Sequence, residues 1–142
     1  MDTKTANQLE KAGDILQYGI SAVALLLVLL LDKTLLMPWL CVVVGVFLTT
    51  HALKRLFNST NLGERPNGGE HSFPSGHTSG AFAGAAFMHF GLMLSPFWVI
   101  VAYLLAALTG YSRVVSNNHY YRDVIAGAVV AIAGTHALLT ML

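Results

Sequence analysis

Polar residues along this chain gather in a few short stretches, and long apolar runs lie between them. Five runs stand out: Ile15–Leu31, Leu35–Leu53, His77–Leu94, Pro96–Ser112 and Asp123–Leu142, of 17, 19, 18, 17 and 20 residues. A bilayer-crossing helix needs about 20 mostly apolar residues, with about 17 as the lower limit, so each run predicts a span. Helix is the expected form, because a segment in lipid must satisfy its own backbone hydrogen bonds. The pattern predicts an all-α integral membrane bundle of about five transmembrane helices, folded as a single domain over residues 1–142. The third run is rich in Gly and Ala and also reads as a buried soluble helix, but its neighbours are unambiguous spans. Met1–Asp14 carries mixed charge, and no small-residue cleavage site separates the first run from the second. The first run is therefore expected to be a span rather than a cleavable signal.

The connections are unequal. Asp32–Thr34 and Ser95-Pro96 are tight turns, whereas Lys54–Gly76 and Arg113–Arg122 are long. Alternating spans put both long connections and the N-terminal segment on one membrane face. That face holds Lys4, Lys11, Lys54, Arg55, Arg65, Arg113 and Arg122, and the other holds only Lys33. The stretch Asn58–Glu70, rich in Asn, Gly and Ser, is expected to be irregular loop. Asn58-Ser59-Thr60 also matches a glycosylation acceptor, a triplet common by chance.

Composition narrows the class further. Charged residues are 11% of the chain and apolar residues 55%, against about 25% charged in an ordinary soluble domain. A disordered tail, a coiled coil and an ordinary soluble enzyme are excluded. A net charge of +1 leaves no polyanion-binding excess, so no nucleic-acid partner is expected. The single cysteine, Cys41, excludes an intrachain disulfide and a cysteine-based zinc site.

The candidate chemistry lies on the face with the long connections. In Phe73-Pro74-Ser75-Gly76-His77, Pro74 and Ser75 are a helix-start signal. A helix N-terminus offers unpaired N–H groups to a phosphate, and Gly76 would let an anion approach the backbone closely. His77 would stand one step inside as a proton donor. The plainer alternative is an N-cap beside an interfacial histidine. Further on, His119 and Asp123 are spaced i, i+4 and share a face if the fifth helix begins at or before His119. A carboxylate there would fix the imidazole tautomer and stabilise its charged form. His77 has no carboxylate at that spacing, which favours His119 as nucleophile. Arg113 supplies the planar fork that suits phosphate, and Arg65-Pro66 leads into the Pro-Ser-Gly-His turn. Membrane-edge anchoring accounts for Arg55, Arg122 and Tyr120-Tyr121.

These elements together resemble the type 2 phosphatidic acid phosphatase family, whose superfamily includes the vanadium-dependent haloperoxidases. Pro74-Ser75-Gly76-His77 matches its second motif. Ser112-Arg113, five residues, His119, three residues and Asp123 match its third, so the signature region runs from about residue 54 to 127. The first motif departs from the pattern. The family's lysine stands seven positions before the Arg of Arg-Pro, where this chain has Asn58; its nearest lysine, Lys54, stands eleven before Arg65. The resemblance implies a phosphatase that acts on a membrane lipid phosphate or diphosphate with no metal or other cofactor. His119 would be the nucleophile, Asp123 its orienting group and His77 the acid. Arg65, Arg113, Ser75, the Gly76 amide and Lys54 would hold the phosphoryl oxygens. Phosphatidic acid, phosphatidylglycerol phosphate, undecaprenyl diphosphate and lipid A are the substrates it suggests. Phosphotransfer to another hydroxyl, and a non-catalytic binder or transporter, are the alternatives.

His51, His89 and His136 lie in or at the ends of spans, where a neutral histidine bonded between helices is the commoner case. Gly76, Gly80 and Gly84 form a small-residue stripe on the third run, and His119, Asp123, Gly127 and Ala131 a similar one on the fifth. Small stripes let membrane helices pack closely, so these two helices are expected to meet. A homodimer face is the alternative for the glycine stripe. The charge count, seven against one, argues for a cytoplasmic site. The family resemblance favours a site facing outward from a bacterial inner membrane, and that is the expectation adopted.

Overall fold

A computed structural model describes residues 3–142. Helix α1 spans Thr3–Leu31 and α2 spans Leu36–Phe57, joined by a single 3-10 turn at Lys33–Leu35. Helices α3 (Gly76–Phe90), α4 (Pro96–Val115) and α5 (Tyr121–Met141) follow. Among the described residues there is no strand. Four of the described segments are long and apolar enough to cross a membrane: Lys4–Leu31, Lys33–Phe57, Pro96–Val115 and Tyr121–Met141. Their outward faces are paved with exposed side chains such as Leu26, Leu30, Phe47, Leu48, Leu104, Ile125 and Val129. Apolar surface this extensive belongs against lipid. The chain is an integral membrane protein.

The third run, expected as a span over His77–Leu94, forms a shorter helix. Helix α3 ends at Phe90 and has 15 residues, about 22 Å at 1.5 Å per residue. It runs through the centre of the bundle and packs against all four other helices. Its Gly and Ala content has this physical cause: small side chains let four neighbours approach one short helix. One face of α3 (Ala81, Ala85, Met88) meets Ile20 and Ala24 of α1 and Ala102 and Ala106 of α4. The other (Ala83, Phe87) meets Val28 of α1, Val42 and Val46 of α2, and Ala131 of α5. A helix surrounded by protein need not match the bilayer thickness.

The stripe Gly76, Gly80 and Gly84 is also taken up inside the chain. An added Cβ at Gly84 would stand 3.0 Å from Ile20, one at Gly80 3.3 Å from Gln17, and one at Gly76 3.6 Å from Lys54. The stripe thus admits α1 and α2. Helices α3 and α5 do pack together, but the close approach comes from the other partner: a Cβ on Gly127 would stand 2.6 Å from the Ser75 carbonyl oxygen. The described part of the mixed-charge N-terminal segment is helical. From Thr3 onward it continues α1 without a break, and this carries Glu10 and Asp14 over the end of the bundle where α3 begins.

Candidate active site

Ser75 starts α3. Its hydroxyl accepts from the Thr78 amide at 3.5 Å and from the Thr78 hydroxyl at 3.0 Å. Its own amide donates to the Asp123 carbonyl oxygen at 2.9 Å, which pins the start of α3 to the first turn of α5. Ser75 is fully buried, so its side chain caps the helix rather than facing the cavity beside it. The preceding loop is held by many local bonds. His71 N–H donates to the Asn58 side chain at 2.9 Å, Ser72 N–H to Gly63 at 2.9 Å, and Lys54 Nζ to the carbonyls of His71 and Ser72 at 2.6 and 3.2 Å. Lys54 therefore reaches the site from four positions before Asn58, and it braces the loop that carries Ser72.

His119 and Asp123 do meet, though not on one helical face. Helix α5 begins at Tyr121, so His119 lies in the loop before it. Asp123, in the first turn, folds its carboxylate back and accepts from the Tyr120 amide at 2.9 Å. The His119 Nδ1 to Asp123 Oδ2 distance is 3.6 Å, too long for a direct hydrogen bond. The Ser72 hydroxyl joins them: it donates to Asp123 Oδ2 at 2.5 Å and stands 3.4 Å from His119 Nδ1. A proton on Nδ1 can point to that hydroxyl and its carboxylate, leaving the Nε2 lone pair free. All three residues are buried. Burial is the main influence on the His119 imidazole and holds its pKa below the ordinary value. The Asp123 carboxylate opposes this, while Lys54 and Arg65 add to the depression.

His77, unlike what its sequence neighbourhood suggests, has a carboxylate of its own. Asp14, on α1, places Oδ1 3.1 Å from His77 Nε2. The same oxygen is 2.9 Å from an Arg113 terminal nitrogen. Arg113 is 3% exposed and also donates from Nε to the Ser112 hydroxyl at 3.1 Å and from its other terminal nitrogen to the Glu10 carbonyl. Of its five N–H groups these contacts use three, and two remain for a ligand. The Glu10 carboxylate accepts from Asn118 at 2.7 Å, and Asn118 in turn accepts from Asn67 at 3.1 Å. Gly13 makes the approach of α1 feasible, since a Cβ there would lie 1.9 Å from the Ser112 hydroxyl.

A cavity of about 280 Å³ opens between these groups, lined by Glu10, Asp14, Arg65, His77, Arg113, Asn118 and His119. Arg65 Nε is buried with no hydrogen-bond partner. A buried charged donor left unpaired is costly, and an oxyanion in the cavity would satisfy it. Arg65, His77 and His119 also close one end of a larger groove, about 470 Å³, between α1, α2 and α3. Tyr18, Val43, Val46 and Phe47 make its walls apolar, and Gly76 and Lys54 lie near its polar end.

Of the residues singled out from sequence, His77, His119, Arg65 and Arg113 converge on the cavity. Asp123 stands behind His119, Gly76 and Lys54 line the groove, and Ser75 caps α3. Ser72, Asp14 and Glu10 join them from outside the motifs, and Asn118 from one of the five unspecified positions of the third. Ser72 had a faint signal, two residues before Pro74; Asp14 and Glu10 read only as charges in a mixed segment. Of the other histidines, His51 lines the groove and bonds the Phe47 carbonyl, while His89 lies 3.4 Å from the Tyr103 hydroxyl and His136 rests against Phe90.

Residues 22–142 match the family model described as the PAP2 superfamily. The chain is 44% identical over 70 residues to a lipid A 1-phosphatase of Porphyromonas gingivalis, covering 48% of this chain and 16% of that protein. It is 38% identical over 76 residues to lipid phosphate phosphatase 2 of Arabidopsis thaliana, covering 45% and 26%. The matched stretch is thus about a quarter or less of those relatives' length. The crystal structure of Aquifex aeolicus LpxE superposes with a TM-score of 0.81 over 99% of this chain and 88% of that one, at 21% identity, and shares its fold. The chain belongs to the PAP2 superfamily.

Proposed function

We propose that this PAP2 protein is a phosphatase that removes phosphate from a membrane lipid, working without a metal through a phosphohistidine. One observation carries the reading. A buried histidine, backed by Ser72 and Asp123, faces a second histidine and two guanidinium groups across a cavity of about 280 Å³. Nucleophile, acid and anion clamp are the parts that phosphoryl transfer needs. His119 Nε2 attacks phosphorus, His77 gives a proton to the departing oxygen, and water then releases phosphate from His119. Arg65 and Arg113 hold the phosphoryl oxygens, and Lys54 keeps the loop closed around them. The apolar groove beside the cavity suits a lipid that keeps its chain in the bilayer. The relatives named as a lipid A 1-phosphatase and a lipid phosphate phosphatase support a lipid phosphate as substrate.

The test is phosphate release by the purified protein in detergent. The panel holds phosphatidic acid, phosphatidylglycerol phosphate, undecaprenyl diphosphate and lipid A. At least one should be hydrolysed, and His119→Ala should lower turnover by about four orders of magnitude or more, as when a covalent nucleophile is lost. Near-normal release by His119→Ala would refute the assignment.

The proposal extends to sidedness: the site faces outward from a bacterial inner membrane. Arg65, Arg113 and Lys54 serve phosphate, so they weigh less in a charge count that only biases insertion. A cysteine replacing exposed Glu64 in a Cys41-free variant reports this. Labelling by an impermeant thiol reagent in intact cells is expected; labelling only after lysis would reverse the orientation.

A further inference from the structure

We propose that Asp14 is the positioning residue of the general acid, holding His77 as an imidazolium ready to protonate the leaving oxygen. The proposal rests on the phosphatase reading above. It gives each histidine its own carboxylate: Asp123 behind His119, reached through Ser72, and Asp14 against His77, delivered by a different helix.

Charged and titratable groups surround His77, with Glu10 of α1 and Arg65 of the loop before α3 lining the same cavity. Asp14 comes from α1, Arg113 from α4 and His119 from the loop before α5. From α2, the Lys54 chain lies beside Gly76. Burial first, and then the Arg113 cation, disfavour a positive charge on His77, and a carboxylate in contact with the ring opposes them. Asp14 is that carboxylate, at 3.1 Å. It is also held in place, because its Oδ1 is shared with buried Arg113 at 2.9 Å. The close packing at Gly13, next along the chain, fixes the α1 backbone against α4.

The chemistry explains why such a group is needed. In the first step a bond forms between His119 Nε2 and phosphorus. The bond from phosphorus to the lipid oxygen breaks, and that oxygen takes the Nδ1 proton of His77, the Nε2 proton being held by Asp14. In the second, water adds to phosphorus, His77 takes its proton, and the phosphorus–nitrogen bond breaks to free phosphate and His119. A lipid alkoxide is a strong base and cannot leave without that proton, whereas a nitrophenolate can.

The experiment compares wild type and Asp14→Asn on two monoesters: dioleoyl phosphatidic acid in mixed micelles and p-nitrophenyl phosphate. Turnover of the alkyl ester should fall at least about tenfold more than turnover of the aryl ester, a part of the roughly 10²–10⁴-fold that a general acid contributes. The basic limb of the alkyl pH profile should move to lower pH, because losing the anion makes the imidazolium give up its proton sooner. Asp14→Glu should restore the alkyl-to-aryl ratio to within about threefold of wild type, and it supplies the test if the amide variant fails to fold. Equal losses on both esters would overturn the proposal and make Asp14 only an anchor for Arg113. A gain on both esters would overturn it too, making the carboxylate a plug in the phosphate cavity. A wild type inactive on p-nitrophenyl phosphate and on every lipid of the panel above would instead sink the phosphatase reading itself.

Discussion

Ser72→Ala is the sharpest probe of the candidate site, because it deletes one oxygen and leaves both members of the pair it joins. In the native chain that oxygen donates to Asp123 at 2.5 Å and lies 3.4 Å from His119 Nδ1. Without it, Asp123 keeps only the Tyr120 amide on Oδ2 and the longer Arg122 contact on Oδ1, at 3.6 Å. His119 loses its near neighbour on Nδ1. A hydrogen bond to a charged group contributes about 1.5–3 kcal/mol, or roughly 10- to 150-fold in a rate that depends on it. The gap to be closed decides where in that range the effect falls. His119 Nδ1 and Asp123 Oδ2 are 3.6 Å apart, so a shift of a few tenths of an ångström would form a direct bond. The loss in kcat/KM on phosphatidic acid should therefore lie near the lower end, about 10- to 30-fold. It should be far smaller than the loss for His119→Ala. Steady-state turnover across pH, with a thermal melt to confirm folding, measures both. Activity within twofold of wild type would show that Ser72 does not couple the pair. A loss as deep as that of His119→Ala would show that the hydroxyl itself takes part in the chemistry.

Three further outcomes follow from the site. Burial holds the His119 pKa below the usual value, so the acid limb of kcat/KM should lie below about pH 6.5. By the same sign, the stability this site contributes is present above that pH and lost as pH falls through the depressed folded value; an acid limb above 6.5 would contradict it. Chelators should leave turnover intact and vanadate should inhibit it, whereas loss with a chelator and recovery with a divalent ion would reject the metal-free mechanism. Gly13→Ala puts a Cβ 1.9 Å from the Ser112 hydroxyl and 2.9 Å from an Arg113 terminal nitrogen. It should push α1 off α4, lower the melting temperature and cost activity, and a variant that melts and turns over like wild type would show that α1 is not needed there.

Much of this protein is legible in its sequence because the information is local. Apolar runs report helices directly, since a backbone in lipid can satisfy its hydrogen bonds in few other ways. The spacings within Pro74-Ser75-Gly76-His77 and from Arg113 to Asp123 are covalent, so any fold that uses them keeps those residues within a few turns of one another. The tertiary structure decided what depends on contacts between distant segments. Helix α3 is short and central because four helices converge on its small side chains, a fact invisible in its hydropathy. His119 meets Asp123 through a loop and the Ser72 hydroxyl rather than along one helix face, because α5 starts two residues later than the spacing rule assumes. Asp14 lies 63 positions before His77 and 99 before Arg113. No periodicity links residues that far apart; only the packing of α1 against α3 and α4, with Gly13 at the closest approach, turns a charge in a mixed segment into a neighbour of both.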